Sequence, residues 1–104
     1  MDFSVIVPCF NSERYLRRCL EALFTQTFPR DRYEVVLIDN NSSDRSLEIA
    51  RSFPDLLVLQ EGIQSSYAAR NRGFRKSRGK MLAFTDSACE ACPPWLEEIA
   101  ASLA

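Results

Sequence analysis

The sequence predicts an α/β fold: a Rossmann-like, three-layer α/β/α arrangement around a mostly parallel, four-stranded sheet. Three observations support this prediction. Short β-branched apolar runs alternate with helical patterns through four successive units. The length of 104 residues suffices for one hydrophobic core but not for two. The composition, 46% hydrophobic and 26% charged, is that of an ordinary globular domain. Repeated βα units favour parallel strands joined by right-handed crossovers, with helices on both faces.

The first unit combines a buried strand with an amphipathic helix. Residues 3–8 form a β-branched apolar run that ends in proline, which is typical of a buried strand. Between residues 13 and 24, pairs of apolar residues recur every four positions and form one helical stripe. Asn11 or Ser12 is expected to cap this helix, and Pro29 lies beyond its end.

The other units repeat this alternation. Residues 33–39 have the buried-strand pattern, and the polar run 40–44 provides turn and cap chemistry for a helix that extends to about residue 53. The remaining predicted elements are a strand over 56–59, a helix over 65–76, a strand over 81–85 and a helix over 94–103 that is opened by proline. In the last two helices, Tyr67 and Leu103 are expected to pack towards the core, together with Trp95.

Composition disfavours several classes of function. The net charge of −1 provides no polycationic field for generic nucleic-acid binding. The longest apolar runs are far shorter than the roughly 20 residues of a membrane span, and no signal-peptide pattern is seen, so a cytoplasmic location is expected. Histidine is absent, which removes the usual general base and the commonest zinc ligand.

Polar residues follow three of the predicted strands, where a parallel sheet binds its ligands. The first strand runs into Cys9-Phe10-Asn11, the second into Asp39-Asn40-Asn41, and the fourth into Asp86-Ser87. Each of them alone is also consistent with a simple turn or helix cap. Neither a Gly-x-Gly-x-x-Gly motif nor a P-loop follows the first strand, so a classical dinucleotide or Walker-type site is not supported.

Four segments, in this order, resemble the motifs of family 2 glycosyltransferases of the GT-A fold. They are FSVIVPCFN at 3–11, VVLIDNNSSD at 35–44, ARNRG at 69–73 and AFTDS at 83–87, with Trp95-Leu96 downstream. The resemblance covers nearly the whole chain. It implies strand order 3-2-1-4 and a single nucleotide-diphosphate-sugar-binding domain over residues 1–104, equivalent to the N-terminal half of a GT-A domain without its acceptor half.

The resemblance also assigns residues to the nucleoside. It implies that the backbone of Pro8, Cys9, Phe10 and Asn11 lies along the nucleoside of the donor. It further implies that Asp39 accepts a hydrogen bond from a base N–H, such as N3–H of uracil, so a UDP-sugar is the favoured donor. A charged acceptor makes such a bond stronger than a neutral one.

For the phosphates, the resemblance points to Arg70, Asn71 and Asp86. The planar guanidinium of Arg70 suits a diphosphate. Asp86 matches the first acid of the family's Asp-x-Asp motif, which contacts ribose and a bridging Mg²⁺ or Mn²⁺ ion. Ala88 replaces the second acid, so weaker metal binding is expected, with Glu90 as the nearest substitute.

The implied function is inverting transfer of a hexosyl group from a nucleotide-diphospho-sugar to a hydroxyl of a glycan or lipid-linked glycan, as in polysaccharide biosynthesis. The general base is expected beyond residue 104, and membrane attachment would come from a missing part of the parent protein. An uncovered apolar sheet edge would favour a homo-oligomer. A non-catalytic nucleotide-sugar-binding or interaction module is an alternative function.

The cysteines supply a further alternative. Cys89 and Cys92 form a Cys-x-x-Cys between a strand and a helix start, an arrangement also found in thiol redox proteins. Because no export signal is seen, all four cysteines are expected to be thiols. A disulfide or thiol-metal site that joins Cys9 and Cys89 across the strand ends is a separate hypothesis.

Overall fold

The computed structural model describes residues 1–103 and contains four βα units. The elements are β1 (Phe3–Cys9), α1 (Leu16–Leu23), a 3₁₀ turn (Arg30–Arg32), β2 (Tyr33–Asp39), α2 (Ser46–Arg51), β3 (Leu57–Gln60), α3 (Ser66–Lys76), β4 (Met81–Phe84) and α4 (Trp95–Ser102). All strand pairs are parallel, in the order β3-β2-β1-β4. The predicted fold class and strand order are therefore confirmed.

The register of the two central strands determines which residues meet at the carboxyl edge of the sheet. β1 and β2 pair over their full lengths, from Phe3 opposite Tyr33 to Cys9 opposite Asp39. β4 pairs with the first part of β1 only, so the chain leaves the sheet early after Phe84. The residues that follow β1, β2 and β4 consequently surround one edge.

The core has two layers because alternate residues of each strand point to opposite faces. Val5 and Val7 belong to the larger layer, which α1, α2 and α4 cover. Ile6 belongs to the smaller layer under α3. Gly73 brings α3 close to the sheet, since a Cβ on it would lie 2.7 Å from Cδ1 of Ile38.

The start of the first helix differs from the prediction. α1 begins at Leu16, and Tyr15 at its N-cap makes no side-chain cap hydrogen bond. Asn11 does not cap α1, because its backbone is left-handed (φ 46°) and its Oδ1 accepts a hydrogen bond from the amide of Ser43 at 2.8 Å. The hydroxyl of Ser12 instead contacts Oγ of Ser87 and the carbonyl of Phe10, so the cap prediction was wrong.

Two predicted core residues lie on the surface. Tyr67 is 72% exposed and Leu103 is 58% exposed. Ala69 and Gly73 face the sheet, and Tyr67 lies about 200° around the helix from Ala69. Leu103 follows the last residue of α4, whereas Trp95 at its start packs partly against the core as predicted.

A buried carboxylate joins three segments at the amino edge of the sheet. Glu34 accepts hydrogen bonds from the Ser4 hydroxyl at 2.6 Å, from the Arg78 amide at 2.6 Å and from Arg78 Nε at 3.3 Å. Burial acts to raise the pKa of Glu34, but these hydrogen bonds and the Arg78 charge outweigh burial and hold the pKa below its usual value.

This network predicts an acid-dependent loss of stability. Because the pKa of Glu34 is lower in the folded state, its stabilisation is complete above the unfolded pKa and is lost as the pH falls through the folded pKa, below about pH 4.5. We expect Glu34→Gln to cost about 1 kcal/mol at pH 7 and to flatten the acid limb of a urea-unfolding series. Glu48→Gln, at an exposed position of α2, serves as the control. An acid limb that is equally steep in both variants would contradict this assignment.

Candidate functional site

A cavity of about 750 Å³ lies at the carboxyl edge of the sheet. Its wall is formed by residues that follow β1 and β4 and by one residue of α3: Pro8, Phe10, Ser12, Arg70, Phe84, Thr85, Asp86 and Ser87. Four of the predicted site residues, Pro8, Phe10, Arg70 and Asp86, therefore meet around one volume. The cavity is large enough for a small organic ligand.

Asp39 ends β2 opposite Cys9 of β1, and its side chain is almost fully enclosed and does not line the cavity. The residue is 2% exposed, and Oδ2 accepts a long hydrogen bond from the Ser42 amide at 3.3 Å. Oδ1 is buried and has no hydrogen-bond partner among residues 1–103. An unpaired buried carboxylate oxygen is costly, so Oδ1 is an unsatisfied acceptor at the end of β2.

Asn40 connects the site to α3, a role that the sequence did not predict. Its Nδ2 donates to the carbonyls of Glu61 and Ile63 at 3.0 and 2.6 Å, and its Oδ1 accepts from the Ser65 amide at 2.9 Å. The loop that precedes α3 is thus fastened to the end of β2. Because Ser65 caps α3, this contact sets the position of the helix that carries Arg70.

Arg70 brings a free cation to the cavity. It lies next to buried Ala69 and is itself exposed. Within residues 1–103 it has no ion-pair partner, whereas Arg78 of the same basic run pairs with Glu34 at 3.3 Å. Asn71 is half-buried and does not line the cavity. The guanidinium of Arg70 is thus available for an anionic ligand.

Asp86 brings a carboxylate to the same cavity. Its Oδ1 accepts a hydrogen bond from the Ala88 amide at 2.9 Å, and no side chain or amide of residues 1–103 donates to Oδ2. Within the same described range, no group of three or more acidic or thiol side chains is arranged to hold a metal. A single carboxylate fits the mode in which Mg²⁺ or Mn²⁺ is held mainly by substrate phosphates and water.

Glu90, the nearest alternative acid, is directed elsewhere. Its carboxylate lies 3.9 Å from the guanidinium of Arg18, an exposed side chain of α1, and it does not line the cavity. Ala88 carries no ligand group. Asp86 is therefore the acid of the predicted pair that the structure brings to the cavity.

Buried serine hydroxyls hold the loops of the site together, which the sequence did not predict. The Ser12 amide donates to Oγ of Ser46 at 2.7 Å, and Oγ of Ser12 lies 2.6 Å from Oγ of Ser87. These contacts join the segments after β1, β2 and β4. The only signal in the sequence was the abundance of serine after the strands, which is equally typical of turns.

The two buried thiols, Cys9 and Cys19, are unsuited to nucleophilic chemistry, whereas Cys89 and Cys92 are exposed. All four cysteines are free, so the hypothesised Cys9–Cys89 disulfide is not formed. Burial raises the pKa of Cys9, and burial with nearby thiol and carboxylate groups raises the pKa of Cys19 to about 12. These two thiols stay protonated near neutral pH, whereas the reactive species is the thiolate.

Comparisons with known proteins agree with this geometry. The glycosyl transferase family 2 profile matches residues 4–104. Glycosyltransferase AglE of Haloferax volcanii is 41% identical over 99 residues, which cover 90% of this chain and 33% of AglE.

Two solved structures extend the comparison. The structure of S. aureus TarS 1–349 in complex with UDP-GlcNAc is 34% identical and superposes with a TM-score of 0.88, over 97% of this chain and 30% of that one. The mannosyltransferase PcManGT from Pyrobaculum calidifontis, in complex with GDP-Man and Mn²⁺, is 29% identical with a TM-score of 0.78, over 83% of this chain and 27% of that one. The present chain spans about a third of the length of these relatives.

Proposed function

This chain belongs to glycosyl transferase family 2, and we propose that its carboxyl-edge cavity binds the nucleoside diphosphate of a sugar donor, with a UDP-sugar favoured. The observation that carries the proposal is that Arg70 and Asp86 line one cavity. The guanidinium of Arg70 has no ion-pair partner within residues 1–103, and the carboxylate of Asp86 is exposed. The two groups come from different βα units. A diphosphate supplies the anion that pairs with the guanidinium of Arg70. A divalent cation bound to its phosphates supplies the partner for the carboxylate of Asp86.

The nucleoside end is proposed to lie against the segment 8–11, with Oδ1 of Asp39 as acceptor for a base N–H. This buried oxygen has no hydrogen-bond partner within residues 1–103, which supports the assignment. Phe10 is half exposed on the cavity wall, where its ring offers a stacking surface for a base or sugar. UDP is favoured over GDP because uracil presents a single N–H, which matches the single unpaired oxygen of Asp39.

The diphosphate is proposed to lie between Arg70 and Asp86. A Mg²⁺ or Mn²⁺ ion held by Asp86 and the phosphates would neutralise charge on the leaving nucleoside diphosphate. Arg70 contributes a second positive group through its planar donors. Affinity for the cation is expected to be lower than in a site with two acids, because Ala88 carries no ligand.

We further propose inverting transfer of a hexosyl group to a hydroxyl of a glycan or lipid-linked glycan, by family resemblance. A cytoplasmic location, at the membrane surface where another part of the protein provides attachment, is part of the same proposal. Within residues 1–103, no helix has both the length and the apolar character to cross a bilayer.

Calorimetric titration of the chain with UDP and GDP, each with MnCl₂ and with a chelator, tests the binding proposal. Saturable binding of UDP that strengthens with Mn²⁺ is expected. Absence of binding by either nucleotide would overturn the proposal and favour a different class of function. Donor hydrolysis or transfer by the protein then separates an enzyme from a non-catalytic binding module, the second candidate, which the replacement of the second acid by Ala88 favours.

We expect Asp86→Ala to weaken UDP binding roughly tenfold in MnCl₂, and less in chelator, since the carboxylate acts mainly through the cation. Glu90→Ala provides the matched control, because it removes an acid of the same loop that does not line the cavity. Equal losses in the two variants, or a loss in Glu90→Ala alone, would move the acidic role away from Asp86.

A further inference from the structure

The loop that carries Asp86 is anchored by a buried hydroxyl pair. Ser87 is 5% exposed and Ser12 is 7% exposed, and their Oγ atoms lie 2.6 Å apart although the residues are separated by 75 positions in sequence. Such a close contact between enclosed hydroxyls fixes the two loops relative to one another. Ser87 immediately follows Asp86, so the tie acts on the peptide next to the carboxylate.

The hydroxyl pair also contacts the backbone of Phe10. Oγ of Ser12 lies 3.1 Å from the carbonyl oxygen of Phe10, which is an acceptor only. Because a hydroxyl has one hydrogen to donate, both hydrogen bonds are made together when Ser87 donates to Oγ of Ser12. The relay therefore runs from the Asp86 loop to Phe10, and it connects two walls of the same cavity.

Further contacts hold both ends of the relay. The Ser12 amide is bonded to Oγ of Ser46, which is completely buried. On the other side, the carbonyl of Asp86 accepts from the Cys89 amide at 3.1 Å and from Sγ of Cys19 at 3.6 Å. The backbone of Asp86 is thereby fixed from two directions, while its carboxylate stays exposed to the cavity.

We propose that Ser87 is a positioning residue for donor binding, which holds Asp86 towards the cavity through its hydrogen bond to Ser12. This inference rests on the proposed function and adds a residue to it. Preorganised groups bind more tightly because less ordering is left to occur on binding. Ser87 thus acts through Asp86, and its loss matters only when the Asp86 carboxylate is present.

A double-mutant cycle tests this dependence. UDP is titrated calorimetrically in MnCl₂ into wild type, Ser87→Ala, Asp86→Ala and the double variant. We expect Ser87→Ala to weaken binding roughly threefold in the wild-type background and to have no further effect beside Asp86→Ala. Ser87→Thr keeps the hydroxyl and is expected to restore binding. Ser102→Ala removes an exposed helix-end hydroxyl and should leave affinity unchanged.

Amide hydrogen exchange provides a readout that needs no ligand. The amides of Ala88 and Cys89 donate to Oδ1 and to the carbonyl of Asp86, so both should exchange faster in Ser87→Ala and not in Ser102→Ala. If Asp86→Ala binds UDP too weakly to measure, unchanged exchange of these two amides in Ser87→Ala would overturn the positioning role.

Two results would overturn the positioning role while leaving the proposed function intact. One is wild-type affinity for UDP in Ser87→Ala. The other is an equal loss with and without the Asp86 carboxylate, which would indicate a direct contact or general loosening. A wild-type protein that fails to bind UDP is a distinct result, because it removes the proposed function and this inference together.

Discussion

Replacing Asp39 with alanine is expected to weaken UDP binding between tenfold and about a hundredfold, the range for a charge-assisted hydrogen bond in a desolvated site. Oδ1 of Asp39 is buried and has no hydrogen-bond partner within residues 1–103. A base N–H would satisfy this oxygen at no cost in existing hydrogen bonds. The measurement is calorimetric titration with UDP, and Asp31→Ala, an exposed acid in the turn at the opposite edge of the sheet, is the control.

We expect the loss of the Asp39 carboxylate to leave the stability of the fold unchanged or higher, although the affinity for UDP falls. A buried carboxylate with one unpaired oxygen and one long hydrogen bond is unfavourable in the absence of ligand. We therefore expect Asp39→Ala, or the isosteric Asp39→Asn, to unfold at an unchanged or higher urea concentration. Unchanged UDP affinity would remove Asp39 from the site, and a large loss of stability would show that its role is structural.

Gly79→Ala is expected to lower the free energy of unfolding by about 3 kcal/mol, a large loss for a single methyl group. A Cβ at this position would lie 2.4 Å from the carbonyl carbon of Phe3 and 2.4 Å from the amide nitrogen of Ser4. Both are backbone atoms of the central strand β1. They cannot move as a flexible side chain would, so the clash must displace the turn that leads into β4.

The contacts around Gly79 explain why such a displacement is costly. Its amide donates to Oγ of Ser4 at 2.7 Å, and that hydroxyl donates to buried Glu34. Moving the turn therefore breaks the network at the amino edge of the sheet as well as the approach to β1.

A thermal-unfolding series measures this effect, and a loss of this size should lower Tm by more than about 10 °C in a domain of this length. Gly62→Ala is the matched control, because a Cβ there meets nothing within 4 Å and should change stability by less than about 0.5 kcal/mol. Equal Tm values for the two variants would show that the turn tolerates a side chain.

The sequence predicted element types more reliably than element ends. Buried strands such as β1 and β2 are continuous apolar runs, so local pattern and tertiary burial agree over their lengths. The start of α1 was predicted too early, because Asn11 bonds Ser43, 32 residues away, instead of capping the helix. A local rule for caps does not include such long-range competition for a side chain.

In the site, too, the residue types were predicted from the sequence but their long-range partners were not. Motif order predicted that Arg70 and Asp86 belong to one site, and both line the cavity, as expected where the carboxyl ends of parallel strands share an edge. Asp39 ends β2 outside that lining, and its contact with a ligand stays a prediction. The Ser12–Ser87 pair and the role of Asn40 were not predicted. Serine and asparagine after a strand are consistent with many turns, and only their partners, far away in sequence, distinguish a positioning role.

By itself, the sequence determined the alternation of strands and helices, the family, and the edge of the sheet at which polar side chains collect. These depend on local periodicity and on residue types at fixed intervals. Tertiary structure alone decided which oxygen of Asp39 is left without a donor, which acid faces the cavity, and how the loops are joined. Those properties depend on distances between residues far apart in the chain, and hydrogen bonds form or fail over fractions of an ångström.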